Sequence, residues 1–478
     1  MQKREIFRSD YVYSSTINAA LGACFFGYVN SVFNPLQAYL QNVVYPEISK
    51  NLLYLMVSIV PAGAAVGAIV AGSLALKLGR RQALVITDII SVCAIMLTLM
   101  RNEYCLLIGR LISGFCVGLN SSLVPLYISE VSPVEFRGIT GTFTQIGVSV
   151  GILIAYTLGL NAPAVSDKSA SEWWRVMLGF PLILAILRTS LLTIKFDHET
   201  PKYLLSKGDE NGARNVLERI YLREHVSEQL VLLRKEKQNE SQAGKIGYSE
   251  LFSIRYRKRL RAGCFIAMLQ QFSGINAIIF YSSLIFRQSD PDPESKWPQF
   301  YTMVIGVINL ASAFFATLLI NRMGRKTLLL SGTGILFNSL MLLPVCNFLF
   351  EGSAAMLSKL FIFIYILGFG FSLGSVTWIY ISEILPDIGV GVAVLLSWVS
   401  CGIVAQCFPY MISWIGLNGS FLFFASCCFG GILLILKWIK ETKGRMPHEI
   451  AAIFQEETNE RDLEIVNLVY DRPENTDI

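Results

Sequence analysis

Twelve stretches of about 18 or more mostly apolar residues run through this chain, each long enough to cross a ~30 Å hydrocarbon layer as a helix. They lie near 12–34, 52–76, 83–100, 104–127, 139–160 and 175–195, and again near 262–287, 299–320, 327–349, 357–381, 390–415 and 417–438. Six stand on each side of a charged interlude. Hydrocarbon offers no partners to free backbone groups, so each span must be a helix. Composition agrees: 53% of the 478 residues are hydrophobic and 16% charged, against about 25% charged in a soluble domain. The opening "MQKREIFRSD" carries no small-residue cleavage pattern, so the first stretch reads as a span and not a signal peptide. The ten cysteines fall mostly inside spans with no C-x-x-C pair, a pattern of burial and not of metal or disulfide chemistry.

Positive charge is distributed by loop. "KLGRRQ", "EFRG", the 195–261 segment, "NRMGRK" and "KWIKETKGR" follow spans two, four, six, eight and twelve, whereas "RQSDPDPESK" lies on the other side. The positive-inside rule makes the rich side cytoplasmic, with both termini inside. The net charge of +5 is thus a topology signal, and no nucleic-acid partner is implied. The interlude holds amphipathic fragments such as "ENGARNVLERIYL" and is expected to fold as short cytoplasmic helices, with "RYRKRLR" as an alternative membrane-surface anchor. The expected fold class is an all-α polytopic membrane protein: a six-helix half over 1–196, a linker over 197–260, a second six-helix half over 261–440, and a cytoplasmic tail over 441–478.

The halves repeat one another. "KLGRRQAL" at 77–84 returns as "RMGRKTLL" at 322–329, "YISEVSP" at 127–133 as "YISEILP" at 380–386, and "ETPK" at 199–202 as "ETKG" at 441–444. Parallel six-span repeats define one large class of transporters with a mid-membrane site between the halves. The repeated charges lie at span ends. Glu130 and Glu383 can pair there with Arg80, Arg137 and Arg325, a latch expected to hold the inner ends together and to part when the inner side opens.

These phrases, with "GRLISGFCVGLNSSLVPLYISEVSP", "HETPKYLL", "QQFSGINAIIFYS", "WIYISEILP" and "KETKGR", resemble those of sugar porters of the major facilitator superfamily, nearest to facilitative hexose transporters of animals and protist parasites. The resemblance spans about residues 12–450, and "QQFSGIN" is its most specific phrase. A hexose is a ring of hydroxyls, best met by uncharged amides, indoles and aromatic faces. The spans supply Gln145, Gln270, Gln271, Asn276 and Asn309, with Trp378 and Trp398. Each could equally serve as a helix–helix hydrogen bond or an interfacial aromatic. The resemblance implies that Gln145, Gln270, Gln271, Asn276, Asn309 and Trp378 contact the sugar, that Asn34 and Trp398 belong more loosely to the same pocket, and that Tyr281 is an outer gate. Gln271 and Asn276 stand about 140° apart on a regular helix, so a break near Gly274 is expected to turn both to one cavity. Arg110 opens the fourth span; it must face protein or water, or snorkel if it lies near the cytoplasmic end.

The chain departs from the family in places. Proton-coupled members carry an Asp after "GY" in the first span, linked to the fourth-span Arg; here Val29 and Asn30 follow. Leu76 stands where Asp or Asn is usual, and "LGSVTW" lacks the prolines before Trp378, so any bend there must come from Gly374 and its neighbours. The expectation is a hexose uniporter, glucose first because "QFS" is near the "QLS" associated with it. It would need no cofactor, act as a monomer, and sit in the plasma membrane. A proton symporter and a polyol or inositol carrier are alternatives. A sugar sensor is disfavoured by the short tail. An enzyme is disfavoured because no nucleophile–base pair, metal cluster or nucleotide loop is present.

Overall fold

The computed structural model describes residues 7–133, 136–162, 172–242, 247–288, 290, 292, 295–349 and 354–455. The expected tail is therefore described only to Gln455, and the side chain of Arg137 lies outside the described residues. Among the described residues the secondary structure is helical, and the one β contact is an isolated antiparallel bridge between Phe7 and Tyr221.

Among the described residues eleven helical runs are long and apolar enough to cross a bilayer. The last, Asp387–Trp438, has 52 residues, about 78 Å of helix at 1.5 Å per residue, more than twice the hydrocarbon thickness. It is two helices, parted at Gly416, whose φ of 72° is left-handed and costs residues with a Cβ ~1–2 kcal/mol. Eleven runs with one of them double make the twelve expected passages. Span 1 is Ser9–Ser31, continued by Phe33–Tyr39, and spans 2 to 5 are Lys50–Leu78, Arg80–Thr98, Glu103–Val131 and Arg137–Gly159. Span 6 comprises Trp173–Gly179 and Pro181–Ile194, and span 7 comprises Ile254–Phe272 and Ile275–Gln288. Spans 8 and 9 are Trp297–Arg322 and Arg325–Leu349; span 10 joins Ala354–Phe369 to Ser375–Ile384 through a π-helical turn, Gly370–Gly374. Spans 11 and 12 are the two arms of Asp387–Trp438.

Local chemistry sets several of these ends. Ser49 accepts from the Leu52 amide at 3.2 Å to open span 2, and Asn102 Oδ1 accepts from the Tyr104 and Cys105 amides to open span 4. Spans 2 and 4 pack closely because small residues face each other: a Cβ on Gly118 would stand 2.1 Å from the Ala64 carbonyl oxygen. The interlude forms helices Pro201–Ser206, Glu210–Ile220, Arg223–Gln242 and Tyr248–Leu251. Leu205, Val216, Leu217, Ile220 and Val226 make a small core there that also takes in Phe7 and Val12 from the start of the chain. The basic run "RYRKRLR" is not a separate surface anchor. It begins the span 7 helix, where Arg261 stacks on Trp438 at 4.7 Å. The end of the molecule carrying these helices is called the linker side below, and the opposite end the far side.

Among the described residues the repeated charges meet on the linker side within each half. Arg80 donates through Nε and Nη2 to Glu130 Oε1 at 3.1 and 2.8 Å; Arg325 does the same to Glu383 Oε1 at 3.1 and 2.8 Å. These pairs are among those the repeated phrases named, each closed inside one half. The reason is geometric: each Arg starts a span whose neighbour in the same bundle ends at the Glu, so the two ends abut. The third phrase completes the cluster. Glu199 accepts from the Arg81 and Gln82 amides at the start of span 3, and Glu441 accepts from the Arg325 and Lys326 amides at the start of span 9. Carboxylates at helix N-termini are favoured by the helix dipole.

Candidate sugar site between the halves

Span 7 breaks at Gly274, where φ is 93° and a Cβ would lie 2.8 Å from the Phe424 ring. The break does what the spacing predicted: Asn276 Nδ2 donates to Gln271 Oε1 across it. Gln271 Nε2 donates in turn to Ser397 Oγ on span 11 at 2.7 Å and to Gln270 Oε1 at 3.3 Å. Gln270 Nε2 donates to the Leu373 carbonyl at 2.8 Å, inside the π-helical turn of span 10. That wide turn lies where the missing prolines left the bend to Gly374 and its neighbours, and Ser375 Oγ closes it onto the Gly370 carbonyl at 2.8 Å. One row of amides thus joins spans 7, 10 and 11 at mid-membrane.

The N-terminal half faces this row with span 5. Asn309 of span 8 accepts at Oδ1 from Ser149 Oγ of span 5 at 2.7 Å, a buried bond between the halves. Gln145 lies one turn from Ser149 on the same helix and is half-buried. Asn276 and Trp378 are half-buried too, and Trp398 is buried with its ring 5.4 Å from Phe26 of span 1. Ser149 and Ser397 were missed from the sequence because a serine in a span is common and carries no signal alone.

One expected pocket residue is engaged elsewhere. Asn34 lies on the far side, where Nδ2 donates to the Ile279 carbonyl and Ser282 Oγ at 2.7 and 2.8 Å, and Oδ1 accepts from the Ser283 amide and hydroxyl at 3.1 and 2.6 Å. Its amide is spent on clasping span 1 to span 7. Tyr156 adds a bond to the Ile279 carbonyl, Ser58 one to Gln406, and Tyr410 one to Asn51. The far side is closed. Tyr281 is wholly buried beneath this clasp, donating to the Ala405 carbonyl at 2.9 Å with its ring 5.6 Å from Phe408.

Arg110 does not snorkel. Span 4 begins on the far side, and the buried guanidinium donates through Nε to the Met56 carbonyl at 2.5 Å while lying 4.2 Å from the Phe33 ring centroid. A second buried charge pair, Asp88 with Arg188, was not singled out from the sequence at all. Its signal was present: "ITDII" and "AILRTS" put ionisable residues inside predicted spans, which by default asks for a partner.

Chemically, the mid-membrane row offers amide donors and acceptors, hydroxyls and two indoles, and no charge: a lining suited to a neutral polyhydroxyl solute. The geometry defines a class, a two-half membrane transporter whose halves meet over an uncharged polar site. The family model for "Sugar (and other) transporter" matches residues 15–454, and the chain belongs to that family. It is 32% identical over 440 residues to plastidic glucose transporter 4 of Arabidopsis thaliana (90% of this chain, 78% of that one). It is 31% identical to the glucose transporter GlcP of Staphylococcus epidermidis (93% and 98%), and 30% identical to hexose transporter 1 of Plasmodium knowlesi (91% and 92%). Among solved structures it is similar to the partially occluded inward open xylose transporter XylE from E. coli, with a TM-score of 0.76 and 23% identity over 92% of this chain and 100% of that one. The fold is that of the major facilitator superfamily. The chain is a multi-pass membrane protein that carries a sugar, and it is not an enzyme.

Proposed function

We propose that this protein is a facilitative hexose uniporter, with glucose the first substrate to test, working by alternating access between halves over 1–196 and 261–440. The linker side is the cytoplasmic side, with the segments 197–260 and 441–478 on it. The protein works as a monomer in the plasma membrane. The observation that carries the reading is the uncharged amide row of Gln270, Gln271, Asn276 and Asn309 at the plane between the halves. In the working cycle a hexose would exchange its hydroxyls for the bonds these amides now make with one another and with Ser397 and Ser149. Binding energy spent in the occluded state lowers the barrier between the two facings.

Two features support uniport. Val29 cannot carry a proton, and Arg110 is satisfied by a carbonyl and an aromatic face without any carboxylate. One observation favours proton symport as a second reading: Asp88 is a carboxylate at membrane depth. Uptake of radiolabelled D-glucose into liposomes holding the purified protein, with and without an inward proton gradient, decides between them. Saturable equilibration indifferent to the gradient and not blocked by L-glucose is the expected result. Accumulation above equilibrium would replace uniport by symport. Absence of saturable flux would turn the search to inositol and other polyols. Within the site, Gln271→Ala is expected to raise KM by at least about tenfold with the protein still in the membrane, because it strips the hub of the amide row; unchanged uptake would remove the site.

A further inference from the structure

Asp88 of span 3 and Arg188 of span 6 are 3% and 1% exposed, and Arg188 is the bulkiest of the fully buried side chains. Arg188 Nε reaches both Asp88 oxygens at 3.1 and 2.9 Å, and Nη2 reaches Oδ1 at 2.5 Å. Thr189 Oγ1 donates to Asp88 Oδ2 at 2.8 Å, and Arg188 Nη1 donates to Asn120 Oδ1 of span 4 at 2.6 Å. Span 1 is fitted to the same group: a Cβ on Gly22 would fall 1.6 Å from Arg188 Nη1 and 2.5 Å from Asn120 Oδ1. The guanidinium occupies the space a side chain of span 1 would need. Four of the six spans of one half converge on this pair.

The architecture itself does not require it. At the offsets of the repeats, 245 residues for the span 3 phrase and 242 for the phrase after span 6, the matching positions in the other half are Thr333 and Gly430, both uncharged. Gly22 stands one helical turn before Phe26, which packs on Trp398 at the sugar site. Whatever sets the seat of Gly22 on Arg188 sets where span 1 meets the site.

We propose that Asp88 and Arg188 are positioning residues of transport: a hydrogen-bonded pair that seats span 1 against spans 3, 4 and 6, so that this half rocks as one body with Phe26 held at the site. This rests on the transporter reading above and deepens it, because it makes Asp88 an anchor and not a proton carrier. Asp88 is matched charge for charge by Arg188 and accepts four hydrogen bonds. The other titratable groups close by are the thiols of Cys93 on its own span and Cys116 on span 4.

The test is D-glucose flux in proteoliposomes for the wild type, Asp88→Asn, Arg188→Gln, the double variant and Gly22→Ala, each measured over weakly acidic to neutral pH. Each single charge variant is expected to lose about tenfold or more in maximal rate with KM within about twofold, since the amide row that bonds the sugar belongs to the other half and is untouched. The double variant, which leaves no unmatched charge, is expected to recover a large part of the loss. Gly22→Ala removes no charge yet is expected to resemble Arg188→Gln, and the pH profile of the wild type is expected to be flat. Wild-type rates in the single variants would overturn the proposal. So would an Asp88→Asn protein that keeps counterflow but loses gradient-driven accumulation, because Asp88 would then carry the proton. Should the charge variants fail to insert, Gly22→Ala decides, and wild-type flux in it overturns the proposal. A wild type without glucose flux counts against the hexose reading alone. The seating of span 1 on Arg188 is then read from a nitroxide pair on spans 1 and 6, whose separation Gly22→Ala must change; an unchanged separation overturns the proposal.

Discussion

At the linker end of each half an arginine, two glutamates and a threonine make the same pattern of bonds, down to Thr200 on Glu130 and Thr442 on Glu383 at 2.5 and 2.6 Å. They are not equally deep. Arg80 and Glu130 are 9% and 6% exposed as side chains, while Arg325 and Glu383 are 18% and 25%. Tyr203 covers the first cluster, its ring 5.5 Å from the Arg80 guanidinium and its hydroxyl on the Lys77 carbonyl. Both border cavities, Glu130 one of about 420 Å³ and the Arg325–Glu383 pair one of about 560 Å³ shared with Arg259 and Arg445, so the difference in depth lies in exposure of the side chains themselves. The same asymmetry runs through the bilayer. The N-terminal half is braced by Asp88 and Arg188, whereas the C-terminal half carries the Gly274 break and the π-helical turn at Gly370–Gly374. Duplication supplied one plan, and the halves fill it differently: a buried ion pair joins spans 3 and 6 of one, and spans 7 and 10 of the other are broken beside the amide row.

Arg80→Gln against Arg325→Gln tests the difference in depth most directly. Leaving Glu130 buried without its cation is expected to cost ~3 kcal/mol of stability, and the more open Glu383 about 1 kcal/mol, read from thermal denaturation of the purified protein in detergent. Equal losses would break the comparison. Gly274→Ala probes the bending half. A Cβ at that φ, pressed on Phe424, should cost about 1–3 kcal/mol, and uptake is expected to lose maximal rate more than the protein loses stability. Asn34→Ala removes the far-side clasp without touching the amide row. It is expected to shift the balance between facings by about 1–2 kcal/mol, seen as faster labelling of a cysteine placed at Ser283 from the far side. Leu76→Ala sets the floor. Leu76 is 64% exposed, so uptake and stability within about 0.5 kcal/mol of wild type are expected.

The passages, the repeat and the break at Gly274 were legible because each is local: apolar length, matched phrases, and a glycine between two amides that had to face one way. The amide row was legible for the same reason, since polar residues are scarce inside spans. What sequence could not supply was partnership at a distance. Asp88 and Arg188 are separated by 100 residues, and nothing in either local phrase names the other. Asn34 was placed in the pocket when its neighbours are Ser282 and Ser283, because the kink after Ser31 turns it to the far side. The charged repeats named Arg80, Glu130, Arg325 and Glu383 as partners, but spacing alone did not say which pair would close inside which bundle.

The short bridge between Phe7 and Tyr221 has a practical consequence. The Arg8 amide donates to the Ile220 carbonyl at 2.8 Å, and Phe7 stacks on Phe136 at 4.4 Å, so the start of the chain is laced into the linker helices beside span 5. The helices Pro201–Ser206, Glu210–Ile220 and Arg223–Gln242 are therefore tied to the first half like a pointer fixed to a dial, whereas Leu251 of Tyr248–Leu251 packs towards Gly389 of span 11. A fluorophore on exposed Glu224 and another on exposed Met446, beyond span 12, would turn the rocking of the protein into an optical signal without a label inside the bilayer.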